Sequence, residues 1–365
     1  MKKILFCTPY EGVSGSNIGG ISVWAKAIMD YYRSVDSDVI LELQPLDRKT
    51  YVRGVNAFVR LWSGIVEYLS LVKKVKRRII AEEFDIIHLC TTASLGLIKD
   101  WLILRYAKSK GLKTVLHFHC GRVPEILKKH DWETWLLHKV VHVTDVPIVM
   151  DVQSYEALSV YKRGGVNLPN PLSSFVTETI CLHGANVKRE KNRLLFVGHL
   201  VDIKGVYELV EACSELREGK LRMVGYVEDD VREKLQSIAS KRPGEWLQIV
   251  GGLSREDTIR EILSADILVA PSYIEGFPNV ILEAMACETP IIASCVGAIP
   301  EMLDNGKCGV LIEPRNTEAI RKAISGLLTD EEKKLMLARH AKERVYKKYT
   351  MPVVWNQLVT IFEEM

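Results

Sequence analysis

Two carboxylates eight positions apart, Glu275 and Glu283, bracket a Gly276-Phe277-Pro278 turn in the segment EGFPNVILE. The run before them, Ile267 to Pro271, has the character of a short buried strand, and a helical pattern begins near Asn279. This order puts Glu275 on a loop beyond a strand's carboxyl end and Glu283 within the first two turns of the following helix. In an open α/β sheet that edge binds phosphorylated ligands, because a helix N-terminus there offers backbone N–H groups and the positive end of its dipole. A carboxylate beside an anion site is unfavourable unless it accepts from neutral hydroxyls. The pair therefore suits a ligand carrying both phosphate and sugar, which describes a nucleotide sugar. The plainer reading is that a glutamate near a helix start complements the dipole and that Gly-Phe-Pro is only a turn.

A diphosphate also needs cationic donors. Lys204 follows the apolar run RLLFVG and precedes the helical pattern GVYELVEAC, so it too falls at a strand's carboxyl end; otherwise it is a solvated loop lysine. Gly19 and Gly20 form a glycine turn between the first strand and the first helix, which would let backbone approach a phosphate. Their spacing is not Gly-x-Gly-x-x-Gly, so a dinucleotide fingerprint is absent. His117 and His119 end the apolar run TVLHFHC, on one side of a strand with Phe118 on the other. Two hydrogen-bonded histidines at a strand end would account for them. As metal ligands they lack a third partner at a recognisable spacing.

The elements that must position these residues are short apolar runs alternating with helical patterns. Strands are expected at 3–9, 38–46, 85–91, 114–120 and 146–150, then at 193–198, 221–225, 247–251, 267–271, 290–294 and 309–312. Helices are expected at 206–216, 255–264 and 279–286, among others. Such alternation points to parallel sheets covered by helices, and two successive sets imply two Rossmann-like domains. The boundary is expected between Asn170-Pro171 and Lys191, where periodicity lapses amid proline, serine, glycine and a charged cluster. A last helix is expected over about 353–364, after Pro352.

With 365 residues, 47% hydrophobic and 26% charged, the chain is long enough for two cores. Its net charge of +3 argues against a dedicated nucleic-acid binder. Residues 1–180 carry 24 Lys+Arg against 18 Asp+Glu, and the remainder 25 against 28, so the basic excess lies in the first half. The eight cysteines form no Cys-x-x-Cys pair and are expected as buried thiols of a reducing, cytoplasmic compartment. The opening MKKILFCTPYEG fits a first strand better than a signal peptide, and no apolar run is long enough to span a membrane.

Residues 50–78 form a long helical pattern with a broad apolar face, including Val52, Val55, Phe58, Val59, Leu61 and Trp62. It ends in Lys73, Lys74, Lys76, Arg77 and Arg78. Two readings stand: a core helix whose cations suit its C-terminus, or an interfacial helix drawn to the inner face of an anionic membrane.

The segment PSYIEGFPNVILEAMACETPIIASCVGAIPEML resembles the C-terminal signature of the retaining glycosyltransferases of family 4. The E-x7-E element, the Glu-Ala-Met-Ala helix and the Gly-Ala-Ile-Pro-Glu segment carry the likeness, which extends more thinly over nearly the whole chain. The resemblance implies a GT-B architecture, two Rossmann-like domains with parallel sheets facing across a cleft. The acceptor-side domain would be 1–172 with the terminal helix in 352–365, packed back on it, and the nucleotide-sugar domain 190–351. It implies retaining transfer of a hexose from a nucleotide-diphosphate sugar such as a UDP-sugar to a glycan or lipid-linked hydroxyl, as in bacterial surface polysaccharide synthesis. The mechanism would be front-face displacement, with no cofactor and no divalent metal. Other enzymes share the architecture, a nucleotide-sugar 2-epimerase and a phosphorylase-like enzyme among them, and so could a non-catalytic nucleotide-sugar binder.

Residue by residue, the resemblance assigns Lys204 to the pyrophosphate, Glu275 to the donor sugar and Glu283 to the ribose. The backbone of Gly19, Gly20, Gly198, Gly276, Phe277, Asn279 and Val280 would approach the phosphates or sugar, and Leu253 the base. His119 would face the reacting centre, with His117 in support, and His117, Arg122 and Glu125 would reach the acceptor. His199 stands where the family carries an arginine, which weakens the usual two-cation clamp.

Overall fold

The computed structural model describes residues 1–10, 20–47, 57–161 and 164–365, without the side chains of 57–63. Gly19, Val52 and Val55 lie outside the described residues, as do the side chains of Phe58, Val59, Leu61 and Trp62. The chain forms two compact units, Met1–Pro171 with Met351–Met365, and Leu172–Thr350.

The first unit runs β1 (Lys2–Thr8), α1 (Gly20–Ser34), β2 (Val39–Pro45), α2 (Ala57–Ala81), β3 (Ile86–Thr91), α3 (Gly96–Ser109), β4 (Lys113–Phe118), α4 (Val123–Lys129), α5 (Trp132–Val143), β5 (Val146–Val149), α6 (Val152–Leu158) and β6 (Val166–Asn167). Its sheet has the order β2-β1-β3-β4-β5-β6, with every pairing parallel. Parallel strands buried on both faces read as continuous apolar runs, which is why β1, β3 and β4 were plain in the sequence. Leu5, Ile87, Leu89, Leu116 and Phe118 point into one core with α2 to α6. Ile4, Phe6, Ile86, Cys90 and Val115 point into the other, with α1 and the last helix.

The second unit runs α7 (Ser174–His183), β7 (Arg193–Val197), α8 (Val206–Ser214), β8 (Lys220–Val224), α9 (Asp229–Ala239), β9 (Leu247–Gly251), α10 (Arg255–Ser264), β10 (Ile267–Ala270), α11 (Asn279–Ala286), β11 (Ile291–Ser294), α12 (Ile299–Met302), β12 (Val310–Ile312), α13 (Thr317–Thr329) and α14 (Glu331–Lys348). Its parallel sheet has the order β12-β11-β10-β7-β8-β9. The order reverses between β7 and β10, and at such a switch point the two flanking loops diverge to leave a crevice beyond the strand ends.

The final helix, α15 (Met351–Glu363), belongs to the first unit. It buries Val354, Trp355, Leu358 and Phe362 against Ile4, Phe6 and Ile28, and Lys2 donates to the carbonyls of Phe362 and Glu363 at its end. It starts one residue before Pro352, which sits in the first turn, where a missing N–H costs nothing. The two-residue β6 was too short to show as an apolar run. All eight cysteines are free, but Cys181 and Cys295 are exposed rather than buried.

Candidate functional site

In the second unit, Lys204 and Glu275 occupy the loops that leave β7 and β10, the two strands flanking the switch point. The ammonium of Lys204 donates to Oε1 of Glu275 at 2.6 Å, with both side chains partly buried. Lys204 closes a 3-10 turn over Asp202–Lys204, and the turn is fixed from several sides. The Tyr273 N–H donates to the Ile203 carbonyl at 2.9 Å, while its hydroxyl donates to Oε1 of Glu208 on α8 at 2.5 Å. Burial, and after it the neighbouring Glu208 carboxylate, push the Tyr273 hydroxyl pKa strongly upward, so the phenol stays protonated and remains a donor. The Arg315 guanidinium lies 4.5 Å from the centre of the Tyr273 ring.

Glycine makes these loops possible. Gly205 has φ +68°, and a Cβ there would stand 2.2 Å from the Pro271 carbonyl oxygen. Gly297 has φ +53°, and its Cβ would meet the Glu275 carbonyl oxygen at 2.2 Å. Next to it, the Ala298 N–H donates to the Gly276 carbonyl at 2.9 Å. Backbone from three strand ends is thus in direct contact around Lys204 and Glu275, which only a missing side chain permits.

Helix α11 begins directly after this loop. Its N-cap residue, Pro278, supplies no side-chain acceptor, and the Ile281 N–H bonds the Pro278 carbonyl. Asn279 and Val280 are half-buried in the first turn. Phe277 is buried edge-on against Tyr349, ring centres 5.5 Å apart, and so anchors the turn from within the core. Glu283, one turn further along, is half-buried. Burial pushes its carboxyl up to about 7, with the Arg255 guanidinium pulling the other way. No hydrogen bond joins it to Lys204 or Glu275.

Gly198 follows β7 at φ 153°, its carbonyl packed against Gly225, where a Cβ would stand only 1.8 Å away. His199 is exposed and meets the Tyr226 ring edge-on at 5.1 Å. Leu253 is half-buried between β9 and α10.

In the first unit, His117 and His119 stack with ring centres 4.1 Å apart on one side of β4, while Phe118 points into the opposite core. Trp24 covers both, 4.9 and 4.6 Å away, and His88 completes the group 5.4 Å from His117. Burial lowers His88 and His119 to about 3 and His117 well below its ordinary range, so all three rings are neutral. Neither ring nitrogen of His88 or His117 has a hydrogen-bonding partner, nor does Nε2 of His119. The plainer reading of two hydrogen-bonded histidines thus gives way to a packed aromatic cluster. Register supplies the third metal-type residue that spacing could not: Cys90 pairs with His117 across β3 and β4. Ligand atoms of His88, Cys90 and His117 lie within 4.8 Å of one another, the one such set among the described residues. Burial holds Cys90 as a thiol, pushed up to about 12, so the set is uncharged and offers a cation little.

Arg122 is half-buried, and its guanidinium donates to both oxygens of Glu133 and to Ser94. Its charge is therefore already matched, which leaves it a scaffold role and does not favour the expected acceptor contact. Glu125 is exposed on α4, and Gly20 opens α1. The residues missed from sequence are Tyr273, Glu208 and Arg315, which brace the Lys204 turn across separate segments.

Residues 183–344 match the family model described as glycosyl transferases group 1. The MMP alpha-(1->4)-mannosyltransferase of Mycolicibacterium hassiacum is 30% identical over 182 residues, 48% of this chain and 44% of that protein. The chain thus spans a little under half the length of the curated relatives it matches. Among solved structures, sucrose-phosphate synthase from Thermosynechococcus elongatus superposes with a TM-score of 0.77 at 18% identity, covering 100% of this chain and 99% of that one. Anabaena HepE in complex with UDP-glucose gives 0.72 at 19% identity, covering 100% of both. Residues 183–344 thus match the glycosyl transferases group 1 family model, and the fold is GT-B.

Proposed function

We propose that the protein transfers a hexose from a nucleotide-diphosphate sugar to a hydroxyl of a glycan or lipid-linked acceptor, with retention at the anomeric carbon. The observation that carries this reading is the Lys204–Glu275 pair beside the start of α11, at the switch point of the second sheet. One group is a cation suited to a diphosphate, and the other an acceptor suited to sugar hydroxyls. Their contact places the two recognition chemistries side by side, as the two halves of a nucleotide sugar require. The family match over residues 183–344 and the likeness to HepE, solved with UDP-glucose, support the same donor class.

Lys204 and the N-terminal turn of α11 take up charge as the diphosphate departs, without a divalent metal. The departing phosphate oxygen accepts the proton of the attacking hydroxyl on the same face of the sugar. Glu275 holds the ring by its hydroxyls, Glu283 accepts from the ribose, and His119, a neutral imidazole, faces the reacting sugar. His199 adds a hydrogen-bonding edge where an arginine would add charge, so Lys204 carries more of the anion than it would in a two-cation site. Surface polysaccharide assembly is the setting this reading favours.

The experiment is thermal denaturation with UDP and with GDP, followed by an assay of slow donor hydrolysis across nucleotide sugars. Stabilisation by one diphosphate, together with turnover of its sugar conjugate, is the expected result. Tight diphosphate binding with no turnover of any donor would mean a non-catalytic binder, and release of an altered free sugar nucleotide without acceptor an epimerase.

A further inference from the structure

Helices α2 to α6 cover one face of the first sheet, and their outward surface is unusual for a layer that packs so well on its inner side. Large apolar side chains stand exposed along three neighbouring helices, Ile65 and Leu69 on α2, Leu95 and Ile98 at the start of α3, and Trp132 and Trp135 at the start of α5. The two tryptophans are 53% and 58% exposed. Spaced three apart, they share the outer stripe of α5, whose inner stripe is buried Leu136, Leu137 and Val140. The first turns of α3 and α5 are joined by a 2.8 Å hydrogen bond from Ser94 to Glu133, the chain neighbours of Leu95 and Trp132.

Cations frame this patch. Lys73 and Lys74 are exposed on α2, Arg105 on α3, Lys128 and Lys129 on the last turn of α4, and Lys139 on α5. Arg105 lies over the Trp101 ring at 5.3 Å and Lys139 over Trp135 at 5.5 Å, each ammonium or guanidinium held against an aromatic face. The exposed carboxylates on α4 and its junction with α5 are Glu125 and Asp131, and Asp131 is engaged in capping α5. No helix among the described residues is long and apolar enough to cross a membrane.

We propose that this surface docks on an anionic phospholipid bilayer, with Trp132 and Trp135 as its anchors. Tryptophan favours the headgroup boundary, where its ring is half in hydrocarbon and its N–H stays wet. Isolated apolar side chains on several amphipathic helices cannot span, but they can enter the interface together while lysines reach to phosphate. The net positive frame selects anionic lipid over zwitterionic lipid. A partner protein would be expected to meet a surface poorer in lysine, since lysine is depleted at protein interfaces. The basic end of α2 joins the same layer, so Lys73 and Lys74 become one part of a larger docking face. This inference rests on no assignment of donor or acceptor.

The test is flotation of the full chain with vesicles of phosphatidylcholine alone or mixed with phosphatidylglycerol, at low and high salt. Recruitment by the anionic vesicles alone is expected, weakened by salt, with tryptophan emission moving to the blue. The double variant Trp132→Ser/Trp135→Ser should lose at least about tenfold in partitioning and the blue shift with it. Lys128→Glu/Lys129→Glu should lose a comparable amount, and both should keep the wild-type melting temperature because all four side chains are exposed. Should the tryptophan variant fail to fold, the lysine variant decides. Equal flotation by variants and wild type, or no binding to anionic vesicles, overturns the proposal. So does lipid-free self-association that the tryptophan variant abolishes, which would make the face an interface between copies.

Discussion

Lys204 and Glu275, 71 positions apart in the chain, meet at 2.6 Å where the loops after β7 and β10 converge. The pair is partly buried, so each charge is stabilised chiefly by the other, and a ligand that separates them must replace both interactions. A nucleotide sugar can do so, with phosphate on the ammonium and sugar hydroxyls on the carboxylate. A nucleoside diphosphate alone satisfies only Lys204 and leaves Glu275 facing an anion. Glu275→Gln should therefore bind a nucleoside diphosphate as well as or better than wild type, while kcat/KM with the intact donor falls about a hundredfold. Calorimetry and steady-state kinetics on the same variant separate the two effects. Parallel loss of both would show that Glu275 only orders the loop.

Gly297 tests whether the loop itself must be placed so closely. Its φ of +53° and the 2.2 Å approach of the Glu275 carbonyl leave no room for a methyl group. Gly297→Ala should cost about 2–4 kcal/mol in denaturant unfolding and lower donor turnover more than diphosphate affinity. A stable variant with full activity would show that the loop tolerates displacement.

Glu283 carries a pH dependence whose sign can be worked out. Its carboxyl is raised from the ordinary 4.5 to about 7 by burial, so the folded chain holds a proton there that the unfolded chain has released. Stability due to this group therefore falls as pH climbs from about 4.5 to about 7 and is level above. Nucleotide affinity should run the other way, rising through about pH 7 as the carboxylate becomes able to accept from both ribose hydroxyls. Glu283→Gln should flatten both profiles and bind more weakly at alkaline pH. An unchanged affinity profile in that variant would remove Glu283 from the ribose.

His119 is neutral at working pH because burial under Trp24 lowers it to about 3. It can donate or accept a hydrogen bond but offers no positive charge to the phosphates. His119→Ala should reduce kcat by about a hundredfold with little change in diphosphate affinity. The kcat profile should show no limb near the ordinary imidazole range in the wild type. Such a limb, abolished by the substitution, would mean a protonated ring and a different role.

Much of this architecture was legible in the chain. Buried parallel strands declare themselves as unbroken apolar runs, and α10 and α11 fall at their expected bounds because Ser254 and Pro278 mark their starts. Local spacing put Lys204 and Glu275 at strand ends but could not give the contact between them, because a 71-residue separation is closed only by the strand order. The same limit hid Tyr273, Glu208 and Arg315, which converge from three segments, and Cys90, which only strand register sets beside His117. Arg122 shows a related limit. Its partner Glu133 lies on a different helix, and nothing in the local sequence says that the charge is already matched.

Titration calorimetry of a nucleoside diphosphate into the wild type and Lys204→Ala tests the central claim most directly. Loss of a charge-assisted contact to phosphate should weaken binding by about thirtyfold or more, with the folded stability of the variant retained. Affinity within about twofold of wild type would contradict the claim and place the diphosphate elsewhere.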